Sequence, residues 1–422
     1  MSQGRRFVVL VAALALVAVV PPVVAAGRLT ALAPTVRPIG TIHGVAYSPV
    51  PSDYAPCPSC PYYDTDFANA DFPMLWGSAT GARADLRTLG RSVHADLVHL
   101  YDWNPSRDHL PFLNEAQAQG VRVAVPISNY FASDPDGRRQ LIEQIVRQVY
   151  VDGGGASSKV PHPAAAMWLI ANEYDISNIS AAQVTRVAEI IAATEASIGA
   201  TTVLPVSSPV SFGVFGDPQG RPAIAKITEL VKALQASTSL PADFLTTRFL
   251  AATNPQNRGT FIATWLPQYA SAWGWLGFTP PLWFAELGTG VLLSCSGYPA
   301  PCTPSEAQQA VFNAEQWKNA IPGVPGAFFR GSAQFEWIDE PWKGSAATTN
   351  DATFGVQKYA SPPSYQTYQT TGGTYRVDAL VRKPSWASLI AAFSPLPGIP
   401  PPPVGCGPYP KIGCGPPPPV RL

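Results

Sequence analysis

The chain has 422 residues, enough for one large domain or two smaller ones. Its 28 Lys and Arg residues balance 28 Asp and Glu residues, so a net charge of zero argues against nucleic acid or an anionic membrane surface as a partner. Charged residues make up only 13% of the chain while aromatic residues reach 10%, a composition that suits a neutral polar ligand with flat apolar faces, such as a sugar.

The N-terminus has the pattern of an export signal. Arg5 and Arg6 precede an apolar run from Phe7 to Val20, and small residues at 24–26 offer a cleavage site. The run is shorter than the roughly 20 residues that a membrane span needs. We therefore expect residues 1–26 to be a signal peptide and the protein to be secreted or held in the cell envelope; the alternative is an uncleaved anchor.

Six cysteines lie in loop-like stretches and suggest local disulfides, as expected of an exported chain. Sequence alone does not fix their pairing, and a redox or zinc element at Cys57 and Cys60 is the alternative. A lead-in (27–40) and a Pro/Gly/Cys-rich tail (395–422) flank the central domain. The expected pairs are Cys57 with Cys60, Cys295 with Cys302, and Cys406 with Cys414.

Between residues 41 and 394, short apolar runs alternate with helical patterns. Ser180 is a helix cap and Gly199 a helix end, and Thr303-Pro304 is expected to start another helix. Eight strands alternating with helices predict an α/β fold, a (β/α)8 TIM barrel; a doubly wound sheet is the alternative, but the chain has no Gly-rich phosphate motif. The strand candidates are 41–47, 96–101, 122–127, 166–171, 203–207, 245–251, 282–285 and 332–338.

Glu173 and Glu286 each follow a buried apolar run, at the ends of strands four and seven. A carboxylate there is costly to bury unless function requires it. In a barrel these strand ends meet at the mouth, where two carboxyls about 5 Å apart would give a retaining glycosidase. We expect Glu173 to be the acid/base, Glu286 the nucleophile, and the Asn172 amide a partner of the sugar 2-OH.

The end of strand eight carries an aromatic residue among charges. Trp337 is expected to be a platform for a sugar ring, while Asp339, Glu340 and Lys343 would bind hydroxyls or keep Glu286 ionised. The alternative for these charges is an exposed ion-pair cluster.

These motifs together resemble retaining clan A glycoside hydrolases, and glycoside hydrolase family 17 and the related β-1,3-glucanosyltransferases in particular. The resemblance covers about residues 41–345. It implies a barrel acting on β-1,3-glucan, with Tyr47 and Tyr101 of the first two strands in contact with substrate. The matching stretches are Gly44–Pro49, Leu100–Trp103, Pro126–Phe131, Asn172-Glu173, Glu286–Gly288, and Glu340–Lys343 after Phe335.

The chain also departs from the family pattern. Before Asn172-Glu173, family 17 usually has Gly where this chain has Ala171. After the Glu-x-Gly motif at Glu286, the family often has Trp-Pro where this chain has Thr289-Gly290. We expect a monomer that takes a poly- or oligosaccharide substrate and needs no cofactor or metal, because the five His residues form no ligand motif. Alternatives are a β-1,3-glucanosyltransferase using the same site and a non-catalytic carbohydrate-binding barrel.

Overall fold

The structure is a computed structural model and describes residues 33–56, 65–213, 221–320, 328–344, 349–370 and 373–394, with only the backbone of Arg221. The expected signal peptide (1–26), Cys57 and Cys60, and the tail with its two cysteines lie outside the described residues.

Eight parallel strands close into a barrel in which the last strand pairs with the first, as expected of a (β/α)8 TIM barrel. Each of the other strands pairs with the next in chain order. The strands are β1 (Ile42–Ala46), β2 (Leu97–His99), β3 (Arg122–Ile127), β4 (Ala165–Ile170), β5 (Val206–Ser211), β6 (Phe249–Asn254), β7 (Leu282–Leu287) and β8 (Phe329–Gln334).

Helices follow the strands and surround the barrel. The longer ones are α1 (Leu110–Gln119), α2 (Arg139–Val149), α3 (Ala181–Ile198), α4 (Arg221–Ala236), α5 (Gly259–Ser271), α6 (Glu306–Ala320) and α7 (Ser385–Phe393). Within the described ranges, none is both long and apolar enough to cross a membrane. Short helical segments are Pro73–Trp76, Asp85–Arg87, Thr88–Val93, Asn129–Ser133, Tyr174–Ile176, Phe244–Thr247, Pro341–Lys343 and Asp351–Thr353.

Three strands begin three or four residues away from their expected starts, while the other five begin within one residue of them. β5 begins at Val206 rather than 203, because Thr202–Val203 pairs instead with Thr35–Val36 of the lead-in. β6 begins at Phe249 because the preceding Phe244–Thr247 forms a helical turn. β8 lies three to four residues earlier than expected and ends at Gln334.

The start and end of α3 follow the capping signals in the sequence, whereas α6 starts later than expected. Ser180 and Gln183 form a capping box at the start of α3, and Gly199 ends it with φ of 70°. The expected start of α6 at Thr303-Pro304 is wrong. α6 begins at Glu306, because the Ser305 hydroxyl accepts the Gln308 N–H at 3.1 Å and so takes the capping position.

The barrel interior is filled by small and branched side chains and one indole. Trp283 is fully buried and its Nε1 donates to the Ser207 hydroxyl at 2.9 Å. A second, larger apolar layer lies between the strands and the helices. The interior cluster consists of Ile42, Leu97, Ala124, Ala166, Met167, Leu169, Leu250, Ala252, Trp283, Ala285 and Ala333.

The described part of the lead-in is bound to the barrel. Besides the strand pair at Thr35–Val36, the Arg37 guanidinium donates to the carbonyls of His162 and Pro161, each at 2.8 Å. These carbonyls precede β4, so Arg37 satisfies backbone acceptors at the end of the barrel away from the strand carboxyl ends.

Beyond β8 the chain adds two antiparallel strand pairs before α7. β9 (Gln357–Tyr359) pairs with β12 (Leu380–Arg382), and β10 (Tyr365–Thr370) pairs with β11 (Gly373–Asp378). In the loop after β7, Cys295 and Cys302 form the disulfide expected from their spacing.

A buried ion pair joins α3 to Arg248, the residue before β6. Glu195, 1% exposed, pairs with Arg248 and accepts the Tyr150 hydroxyl at 2.8 Å and Trp168 Nε1 at 3.0 Å. Removing one charge of such a pair leaves the other unpaired and desolvated. We expect Glu195→Gln to lower the free energy of unfolding by about 3–5 kcal/mol in urea titrations.

The matched control for this prediction is Glu229→Gln. Glu229 pairs with Lys226 at 3.0 Å, but its side chain is 52% exposed. An exposed pair contributes about 0–1 kcal/mol, so this variant should resemble the wild type. Equal unfolding midpoints for the two variants would contradict the buried-pair interpretation.

Candidate active site

Glu173 and Glu286 line one cavity of about 300 Å³ at the carboxyl ends of the strands. Glu173 lies three residues beyond β4, and Glu286 is the second-last residue of β7. The sequence therefore predicted their strand positions correctly, and the fold brings them to the same mouth. The other residues around the cavity are Ser48, Thr65, Tyr101, Asn172, Gln256, Phe335, Glu340, Trp342, Lys343 and Asp351.

A bulge in β7 directs Glu286 into the mouth. Phe284 pairs with Ser332 and Leu287 with Gln334, so three steps along β7 match two along β8. Without this extra residue, Glu286 would share the outward face of Phe284, which packs in the layer beneath the helices. A bulge of this kind re-aims a side chain, and here it places the carboxylate on the barrel side.

Left-handed backbone at Ala171 and Glu173 places the other carboxylate. Their φ angles are 53° and 49°, a region that side-chain-bearing residues rarely adopt. Asn129 fixes the residue between them: its Oδ1 accepts the Asn172 N–H at 2.6 Å and its Nδ2 donates to the Asn172 carbonyl at 2.9 Å. Ala171 stands where the resembling family usually has Gly, and its positive φ gives the physical reason for that preference.

Two amides connect the glutamates. Asn172 Nδ2 donates to Glu286 Oε1 at 2.9 Å, and Asn254 Nδ2 donates to Asn172 Oδ1 at 3.0 Å. The Asn254 side chain also hydrogen-bonds the Glu173 carboxyl. Asn254 is the last residue of β6 and was missed by the sequence analysis, although a polar residue at the end of an apolar strand was the available signal.

Glu286 is 4% exposed, and its carboxylate is held by hydrogen bonds. The Tyr101 hydroxyl donates to Oε1 at 2.9 Å, the same oxygen that Asn172 contacts. Burial raises the pKa of Glu286, whereas the Tyr101 hydrogen bond, the Lys343 charge and the Asn172 hydrogen bond all favour its ionised form. Both of these hydrogen bonds reach Oε1, and among the described residues no hydrogen bond to Oε2 is found.

Glu173 is partly exposed in the cavity and holds its proton more strongly than an ordinary carboxyl. Burial, then the negative charge of Glu286, raises its pKa to about 8, against the opposing Asn254 hydrogen bond. Glu173 therefore favours its protonated form at neutral pH, whereas the donors and the cation around Glu286 favour the ionised form of that carboxyl.

Two charged residues, Glu340 and Lys343, act on Glu286, and a third ionisable residue, Glu336, contacts Glu340. Glu340, 3% exposed, forms an ion pair with Lys343. Although burial disfavours its ammonium, the charges of Glu336, Glu340 and Glu286 raise the pKa of Lys343. Glu336 is 1% exposed and hydrogen-bonded to Glu340; burial and the Glu340 charge raise its pKa well above the usual range. Glu336 was not singled out from the sequence.

Two expected substrate-binding residues do not reach the cavity. Trp337 is 1% exposed and packs on Trp386 with ring centroids 5.3 Å apart, because β8 ends before it and the chain turns it into the core. Tyr47 is also 1% exposed, and its hydroxyl donates to Asp85 at 3.0 Å. The aromatic side chains of the segment after β8 that line the cavity are Phe335 and Trp342.

Asp339 likewise turns away from the cavity, where its carboxylate pairs with Lys383 at 3.0 Å. The cavity is lined by four of the residues expected at the site, namely Tyr101, Asn172, Glu340 and Lys343.

Among the residues that the structure describes, no group of three His, Cys, Asp or Glu side chains is placed to hold a metal ion.

No protein-family model and no curated protein matches the chain. Solved structures to which it is similar include a GH2 β-galacturonidase from Eisenbergiella tayi (13% identity, 84% of this chain and 51% of that chain, TM-score 0.46). A second is Saccharomyces cerevisiae Gas2p in complex with laminaritetraose and laminaripentaose (12% identity, 84% of this chain and 63% of that chain, TM-score 0.42). A third is the GH113 β-mannanase AaManA from Alicyclobacillus acidocaldarius (14% identity, 84% of this chain and 97% of that chain, TM-score 0.43). This chain spans about half the length of the first and under two thirds of the second.

Removing the charge of one glutamate should change the titration of the other. In Glu286→Gln the repulsion that opposes ionisation of Glu173 is lost, so the pKa of Glu173 should fall from about 8. Carbon-13 NMR of carboxyl-labelled glutamate measures this, with the Glu173 signal assigned as the one missing in Glu173→Gln. Glu315→Gln, outside the cavity, is the control, and an unchanged Glu173 pKa in Glu286→Gln would show that the carboxyls do not interact.

Proposed function

We propose that this chain is an exported retaining glycoside hydrolase that cleaves β-glucan, with β-1,3-linked chains as its preferred substrate. The observation that carries the proposal is the hydrogen-bonded series from Glu173 through Asn254 and Asn172 to Glu286 in one cavity. It supports a pair of carboxyls of which one keeps a proton and the other does not. The linkage preference rests on the motif resemblance at Asn172-Glu173 and Glu340–Lys343.

In the first step, Glu286 Oε2 would attack the anomeric carbon while Glu173 gives its proton to the departing glycosidic oxygen. The bond from the anomeric carbon to that oxygen breaks and a glycosyl ester on Glu286 forms. Tyr101 and Asn172 hold the other oxygen of Glu286, so the attacking carboxylate is fixed in direction.

In the second step, Glu173, now ionised, would take a proton from water as the water oxygen bonds to the anomeric carbon. The ester bond then breaks, Glu286 returns as carboxylate, and Glu173 is protonated again. A pKa of about 8 suits Glu173 to the first step, because it then holds a proton to donate at neutral pH. Once Glu286 is an ester its negative charge is gone, so the pKa of Glu173 falls and the ionised carboxylate can act as the base.

The charge of the cavity favours a neutral sugar. Glu286, Glu340 and Asp351 line it with a single cation, Lys343. A substrate carboxylate would meet net repulsion in a partly desolvated space, whereas glucan hydroxyls can accept from Lys343 and donate to the carboxylates. This supports a glucan rather than a uronic-acid polymer as the substrate.

Export is supported by two features. The N-terminal pattern is that of a signal peptide, and Cys295 and Cys302 form a disulfide, which persists mainly in oxidising compartments. We infer action on glucan outside the cytoplasm.

The two glutamates should fail in different ways when changed. With laminarin as substrate, we expect Glu286→Gln to abolish sugar release, because no glycosyl ester can form. Glu173→Gln should lower kcat by about 100- to 10,000-fold on laminarin, yet spare the first step on a dinitrophenyl β-glucoside, whose leaving group needs no proton. Reducing-sugar release and the dinitrophenolate burst measure these effects.

Glu229→Gln, on an exposed face of α4, is the matched control and should retain wild-type rates. Equal sugar release by Glu286→Gln and wild type would exclude the nucleophile assignment. If wild type binds laminarin and releases no sugar from any β-glucan, the chain is the non-catalytic binding barrel instead.

Double displacement also fixes the stereochemistry of the product. Proton NMR of fresh digests should show the β-anomer first, followed by slow mutarotation to the α-anomer. Initial α-anomer would mean a single displacement and an inverting enzyme. Longer oligosaccharides in the same spectra would show that a sugar hydroxyl, rather than water, takes the glycosyl group, which identifies a glucanosyltransferase.

A further inference from the structure

The β10–β11 pair is fastened to the chain that follows β1, beside the mouth of the barrel. The Asp378 carboxylate accepts the Ser52 N–H at 2.9 Å and the Ser52 hydroxyl at 2.5 Å. On the same pair, the Tyr368 hydroxyl donates to the Asp71 carbonyl at 3.0 Å. These bonds hold two added strands against a loop of the catalytic face, so the added strands extend the wall on that side.

A continuous series of contacts leads from the cavity to this wall. Trp342 lines the cavity, and the edge of Tyr54 packs on it with ring centroids 5.5 Å apart. The neighbouring Asp53 pairs with Arg376 of β11 at 3.0 Å. The Arg376 guanidinium lies 4.1 Å from the centroid of the Tyr365 ring on β10. We call Trp342, Tyr54, Arg376 and Tyr365 the outer strip.

The exposure of the outer strip suits a ligand. Tyr365 is 45% exposed and Arg376 is part-exposed, and most of β10 faces solvent. Arg376 lies over one face of the Tyr365 ring while its Nε contacts Asp53, so the ring stands next to a guanidinium whose terminal NH2 groups are further N–H donors. Sugar units combine an apolar C–H face with hydroxyl acceptors, which match an aromatic face beside such a donor group.

We propose that the outer strip binds units of the same glucan chain beyond those held in the catalytic cavity, and so makes the enzyme prefer polysaccharide over short oligosaccharide. This inference rests on the proposed function, because its ligand is the substrate of that site. Continuity of the strip with Trp342 is what points to the same chain rather than to a separate ligand.

The test compares a long and a short substrate in the full-length protein. Laminarin reaches past the cavity, whereas laminaritriose does not need the outer strip. We expect Tyr365→Ala to raise KM for laminarin about tenfold, which corresponds to about 1.4 kcal/mol of binding. Its kcat/KM for laminaritriose should stay within about twofold of wild type, and Tyr365→Phe, which keeps the flat ring, should retain the laminarin KM.

Trp275→Ala is the matched control. Trp275 is also an exposed aromatic residue with a cation near its ring, being 48% exposed with Lys232 Nζ 5.5 Å from the ring centroid. It belongs to the segment after α5 and should have no effect on either substrate. An unchanged laminarin KM in Tyr365→Ala, or an equal loss on both substrates, would overturn the proposal.

Affinity electrophoresis in laminarin gels separates this inference from the proposed function, because it needs no turnover. In the Glu286→Gln background, adding Tyr365→Ala should weaken retardation by the polymer about tenfold. If wild type cleaves no β-glucan but retardation still depends on Tyr365, the hydrolase fails and the glucan-binding strip stands. Equal retardation with and without Tyr365→Ala would overturn the proposal that the outer strip binds glucan.

Discussion

The negative charge of Glu286 opposes ionisation of Glu173, and this repulsion is the constraint on which the arrangement of the barrel mouth depends. Glu286 is the more enclosed, yet it is the one given hydrogen-bond donors and a nearby cation. Burial and then the negative charge of Glu286 raise the pKa of Glu173. The surroundings therefore distinguish two chemically identical side chains, and this difference supports Glu173 as the proposed acid.

The surrounding residues act by sharing one hydrogen-bond network. Asn172 connects the nucleophile candidate to Asn254, which in turn connects to the acid. Lys343 forms an ion pair with Glu340, which in turn contacts Glu336. Nearby buried carboxyls therefore stabilise the ammonium of Lys343. Such networks hold a side chain in one orientation, and a change at any member is felt by the others.

The strand positions of both glutamates could be predicted because each follows an apolar run that fits only a buried strand. The barrel was predictable for the same reason, from eight such runs separated by helical patterns. The orientation of the Glu286 side chain could not be predicted, because a bulge shifts the strand by one residue. Regular alternation along β7 would place this side chain on the outer face of the barrel. Trp337 was expected at the site because β8 was extended too far, and the turn after Gln334 buries it and brings Trp342 forward.

Asn254 and Glu336 show another limit of sequence reasoning. Asn254 contacts Asn172 from a distant part of the chain, and its place at the end of an apolar strand is a signal it shares with other polar residues. Glu336 contacts Glu340 in the turn after β8, where no strand pattern marks it. Tyr47 was expected at the site from the resemblance of its stretch to family 17, but its hydroxyl donates to Asp85 instead.

The left-handed backbone around Asn172 has a consequence for how the site meets its substrate. Ala171 and Glu173 adopt a conformation that costs roughly 1–2 kcal/mol each relative to ordinary helical or extended backbone. That cost is met during folding, by the clamp of Asn129 on both sides of the Asn172 peptide. The carboxyl proposed as the acid is therefore held in place before a sugar arrives, so less reorganisation energy is left for the substrate to supply.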